Sequence, residues 1–316
     1  MQPINHYIIL CVFLESSYYC RYYCLNCLIY LYNYDTMSSS DGPIDHRSEI
    51  LNNFFLLLKK DSFDVKIILS DGNVVADSAI LCSASDYFTN MLSNDKFVEG
   101  KTHEVPMQEY GTKEAMEQVV HYISSGVMDM RKIGLETMIE MMNISRMMLM
   151  RTDSLFASLE AHIISRFTLS SSFSRRLVTG VLFRGFMLVE KYRLDSLRKH
   201  FVNAITAAIW FSDGKFKDED VVIIQQLKVN MITEIMLYEY DPVDPTVARL
   251  QFFKIWYVEN KDCKDEEIKI IRDSINLDDF TGEELLTVVK ESGLFPEKDI
   301  DKKCIERFKR LEPKKW

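Results

Sequence analysis

One hairpin, followed almost entirely by helical spacing, constrains this chain most. Val65-Lys-Ile-Ile-Leu69 has a strand pattern, Asp71-Gly72 supplies a turn in which glycine tolerates positive φ, and Asn73 to Ala76 returns as a second strand. Ile80, Leu81, Phe88 and Leu92 then fall at the spacing of a pair of short helices, and His103-Glu-Val-Pro106 reads as a short strand ending at proline. After Gly111 the pattern is helical. Ala115, Met116, Val119, Val120 and Ile123 form one stripe that Gly126 breaks, and a methionine-rich helix follows around Leu135 to Met150. Leu197, Phe201, Ile205 and Ile209 recur every four residues, and Leu250, Phe253 and Trp256 continue the pattern. Strand material suffices for one small sheet only. The expected fold class is α+β, helices around a small sheet, followed by an all-helical region.

The 316 residues amount to about two domains. Apolar residues at 47% and charged residues at 27% exclude a fully disordered or collagen-like chain. The net charge of -9 argues against a broad basic face for nucleic acid, because phosphate binding needs clustered Lys and Arg. No run of eighteen uncharged apolar residues occurs, so a membrane span is not expected.

The first thirty-six residues differ in character from the rest. Eight of the fifteen tyrosines and four of the seven cysteines precede Met37, and only Glu15, Arg21 and Asp35 are charged there. Ile8 to Leu14 lacks the preceding positive charge and the following cleavage site of a secretory signal. Cys24-Leu-Asn-Cys27 resembles half of a zinc ligand pair, and Cys20 with His6 would complete four ligands only by awkward geometry. The reading adopted is a poorly ordered leader over residues 1–45, or sequence upstream of a start at Met37, with no metal. Residues 46–59 then read as an amphipathic helix. Ile50, Leu51, Phe54, Phe55 and Leu58 share one face, which needs something to pack on, and a second copy of the chain is one such surface.

Cys82, Cys263 and Cys304 are odd in number and far apart, which suits a reducing compartment, cytoplasmic or nuclear, with no disulfide framework. Burial as small apolar residues is the default for them. Eight of the sixteen methionines lie between Met128 and Met150; core filling is favoured over a binding groove. Phosphate-binding glycine motifs, zinc-protease motifs and nucleophile elbows are missing, and the six histidines are scattered. Asp71 is explained by its turn and Asp77 by opening a helix, where a carboxylate can cap free N–H groups. No nucleophile, base and orienting group require one another, so neither an enzyme nor a cofactor is expected. The basic tail from Lys302 to Lys315 carries Ile305, Phe308 and Leu311 at helical spacing and reads as a solvated face of a terminal helix.

The ordered series Phe63-Asp64-Val65, Asp71-Gly72, Ala76-x-x-x-Ile80-Leu81, Ser85-x-Tyr87-Phe88-x-x-Met91-Leu92 and Tyr122-x-x-x-Gly126 resembles a BTB (POZ) domain over roughly residues 46–168. Phe186 through Leu197, Leu250-x-x-Phe253-x-x-Trp256 and Glu283 to Phe295 resemble, more loosely, the BACK domain of kelch-like proteins, which would occupy 169–316 without kelch repeats. The first resemblance implies a protein-interaction module that homodimerises through its leading helix, here Ile50, Leu51, Phe54 and Phe55, with Asp64 at the same interface.

BTB–BACK proteins often serve as adaptors that link cullin-3 type ubiquitin ligases to protein substrates, and Phe97-Val98-Glu99 matches the family's cullin-contact pattern. An apolar-x-Glu triplet is also common by chance, and Phe97 packing inward is the plain alternative to a cullin contact. An oligomerisation scaffold without a ligase is the alternative function. The sequence departs from the family at Asp77-Ser78, where many members carry His and then Lys or Arg. The cation expected to face Asp64 is missing from that place, which puts co-repressor recruitment in doubt.

Overall fold

The computed structural model describes residues 63–92, 97–150, 154–168, 179–211, 215–238 and 246–311. The expected leader, the helix over 46–59 with its Ile50, Leu51, Phe54 and Phe55 stripe, and the Cys24/Cys27 pair lie outside the described residues. The chain divides into two compact units, Met1–Leu159 and Glu160–Trp316.

The first unit is built on β1 (Val65–Leu69), β2 (Gly72–Ala76) and β3 (Glu104–Pro106). Their order is β2-β1-β3, with β1 antiparallel to β2 and parallel to β3. Ile67 stands opposite both Val74 and Val105, and Val65 opposite Ala76. Because side chains alternate along a strand, this register sends Val65, Ile67, Leu69, Val74, Ala76 and Val105 to one face, and all six are buried. The other face carries the Lys66–Glu104 ion pair at 3.0 Å.

Helices α1 (Ser78–Ala84), α2 (Asp86–Leu92), α3 (Val98–Thr102), α4 (Lys113–Ser125) and α5 (Leu135–Met147) surround the sheet. Asp77 caps α1 as expected, accepting from Ile80 N–H at 3.1 Å. Thr112 caps α4, and Gly126, in the left-handed region at φ 70°, ends it. Met138, Met141, Met142 and Met148 are fully buried, so the methionine-rich stretch fills core. Asp71 does more than make its turn: its carboxylate accepts from the Lys113 N–H at 2.9 and 3.1 Å and so covers the α4 N-terminus from across the domain.

After α6 (Ser154–Thr168) the chain is helical among the described residues. It runs through α7 (Thr179–Tyr192), α8 (Asp195–Phe211), α9 (Asp218–Gln225), α10 (Val229–Leu237), α11 (Thr246–Glu259) and α12 (Asp265–Asp273). Next come α13 (Gly282–Glu284), a π-helical stretch at Leu285–Val289, α14 (Lys290–Ser292) and α15 (Glu297–Leu311). Leu197, Phe201, Ile205, Ile209, Leu250, Phe253 and Trp256 are all buried, and the Trp256 indole N–H donates to the Leu227 carbonyl at 2.8 Å. Arg198 ties α8 to α7 and α10 by pairing with Glu190 and with Glu234.

One sequence expectation needs correction. Cys304 is buried, but Cys82 and Cys263 are only partly so. In the terminal helix α15 the buried positions include Ile300 and Cys304, while Ile305 is exposed. Lys303, on the neighbouring flank, reaches the Asp278 carboxylate at 2.7 Å, and Arg307 donates to the Asp278 carbonyl at 2.6 Å. Ile305, off the buried side, faces solvent. No helix among the described residues is long and apolar enough to cross a membrane.

Candidate protein-interaction site

Phe97, Val98 and Glu99 come together at the start of α3. Phe97 is the N-cap residue, extended at φ −93° and ψ 145°, and gives no side-chain cap. Its ring is 46% exposed, and Val98 beside it is 69% exposed. Phe97 is thus exposed rather than packed inward. Glu99 is half-buried. Its charge helps raise the pKa of the Tyr87 phenol, after burial and Tyr110 as larger causes.

The far end of α3 is held tightly. The His103 N–H donates to the Glu99 carbonyl at 2.8 Å, and the His103 carbonyl accepts from the Lys66 N–H of β1 at 2.8 Å. Thr102 Oγ donates to the Val98 carbonyl at 3.1 Å and accepts from the Glu104 N–H at 3.3 Å. His103 has left-handed backbone at φ 55°, a conformation few non-glycine residues adopt, though histidine does so more often than most.

Asp64 lies just before β1. One carboxylate oxygen accepts from the Ser78 N–H at 2.8 Å, the other from the Ser78 Oγ–H at 2.7 Å. The second oxygen is 3.4 Å from His103 Nδ1. The missing cation at Asp77-Ser78 is thus partly answered from elsewhere: Ser78 supplies two hydrogen bonds, and His103, thirty-nine residues along the chain, supplies an imidazole. Sequence reasoning did not find His103. Its only sequence signal is a non-glycine residue where a five-residue helix must turn into a strand. Of the remaining expected interface residues, Ile50, Leu51, Phe54 and Phe55 lie outside the described residues.

No group of three His, Cys, Asp or Glu side chains that could hold a metal ion is found among the described residues. At the start of α3 two exposed apolar side chains stand beside a half-buried carboxylate.

A family model of the BTB/POZ domain matches residues 54–165. No curated protein matches the chain. The chain therefore carries a BTB/POZ domain, a protein-interaction module, built of a three-stranded sheet with surrounding helices, followed by a helical region.

Proposed function

We propose that this chain is a non-enzymatic adaptor that homodimerises through its BTB/POZ domain and links a cullin-3 type ubiquitin ligase to protein substrates in the cytoplasm or nucleus. The observation that carries the reading is the outward placement of Phe97 and Val98 on α3, with Glu99 next to them. Phe97 would enter an apolar pocket of the cullin, and Glu99 would fix the approach. A buried aromatic anchor of this kind is worth roughly 2 kcal/mol or more. The leader over 1–45, a BTB region over 46–168 and a BACK-like region over 169–316 form part of the same reading. The buried Trp256 and the α7–α8 corner at Arg193 support the last, which would space a substrate from the ligase.

The test is isothermal titration with the purified cullin N-terminal region. Wild type binds, while Phe97→Ala and Glu99→Lys lose at least tenfold in affinity, as expected for loss of an interface anchor. A wild-type dimer with no cullin affinity would instead mark an oligomerisation scaffold without a ligase.

A further inference from the structure

Helix α3 presents Phe97 and Val98, yet it has only five residues and no side-chain cap at its start. A helix of this length has no stability of its own in water. Its other end is tied to the sheet. There His103 accepts a backbone commitment to β1 through its carbonyl, closes the helix through its N–H, and sets its imidazole against Asp64. Asp64 is itself fixed by two donors from Ser78. Glycine would hold φ 55° without cost. Histidine enters this conformation more readily than most non-glycine residues, and here its imidazole stands 3.4 Å from the Asp64 carboxylate.

We propose that His103 is a positioning residue. Seated in left-handed backbone and braced on Asp64, it fixes the angle at which α3 offers Phe97 and Val98 to a partner protein. The proposal rests on the reading of Phe97-Val98-Glu99 as a partner contact. It adds that the affinity of this contact is set in part from the opposite end of the helix, through the chain Ser78, Asp64, His103.

Two variants separate the contributions. His103→Asn keeps a residue that tolerates positive φ and removes the imidazole. Asp64→Ala removes the brace. Amide hydrogen exchange at Lys101, Thr102 and position 103 should quicken about threefold in each, the size expected for losing a partly exposed polar pair. Binding to the purified cullin N-terminal region should weaken about threefold in the wild-type background. In a Phe97→Leu background His103→Asn should cost little more, because a helix that no longer carries the anchor gains nothing from being aimed.

Unchanged exchange rates in both variants would overturn the positioning role, and so would additive losses for His103→Asn and Phe97→Leu. Failure of the wild type to bind the cullin region sinks the ligase reading alone. The exchange rates then decide the role of His103 by themselves.

Discussion

Single side chains in the first unit carry bonds whose loss leaves a buried partner unpaired. Ser85 is fully buried; its hydroxyl donates to the Met148 carbonyl and accepts the Phe88 N–H at 3.2 Å. Ser85→Ala orphans both groups and should cost about 1–3 kcal/mol by urea denaturation. Gly111 is equally exacting for a steric reason. A β-carbon there would stand 2.8 Å from the Ile144 Cδ1 and 3.2 Å from its Cγ1, and Ile144 is fully buried. Gly111→Ala should therefore destabilise by about 1–3 kcal/mol, the usual cost of overpacking, read from the same denaturation curve. Neither demand is visible in the sequence. A serine between two helices and a glycine ahead of a third look like ordinary loop residues until the distant chain that meets them is known.

The elements themselves were legible where the signal is local. Alternation gave β1, the Asp71-Gly72 turn gave the hairpin, and apolar spacing gave α4, α8 and α11 with their buried faces. What escaped depends on contacts between residues far apart. Asp71 read as a turn residue, yet it caps α4 forty-two residues on. Asp64 read as lacking a partner, yet it meets His103. Lys303 and Arg307 on α15 both meet Asp278, a partner no local spacing indicates.

A junction between elements supplies a pH test. Glu190 on α7 is held below the ordinary glutamate range first by its hydrogen bond from Arg198, then by Asn230, against an opposing effect of burial. Because its folded-state value is lowered, the stabilisation it brings is fully present above the unfolded glutamate pKa, about 4.3. It is lost as pH falls through the lowered value. Unfolding free energy measured from pH 6 to pH 3 should drop across that window, and Glu190→Gln should flatten the drop. Arg198→Met, which leaves Glu190 and Glu234 facing one another, should cost about 1–3 kcal/mol at pH 7.

At the scale of the whole molecule the proposed adaptor depends on its state of association, which the leading apolar stripe would govern. Ile50, Leu51, Phe54 and Phe55 give four large apolar side chains per copy. Each contributes about 1.5–3 kcal/mol when buried. A two-fold axis doubles the set, since an isologous interface uses the same patch twice. The sum, about 12–24 kcal/mol, overlaps the upper part of the roughly 4–15 kcal/mol that association costs in lost rigid-body freedom and extends beyond it. A dimer held in this way binds its own folded form, so its thermal midpoint should rise with protein concentration. The Phe54→Asp plus Phe55→Asp double variant places charge where the partner's apolar face would lie. It should run as a monomer or an aggregate in light scattering, with a midpoint that no longer depends on concentration. A double variant with an unchanged dimer mass would show that these two phenylalanines do not form the seam, and the proposed assembly would then need a different surface.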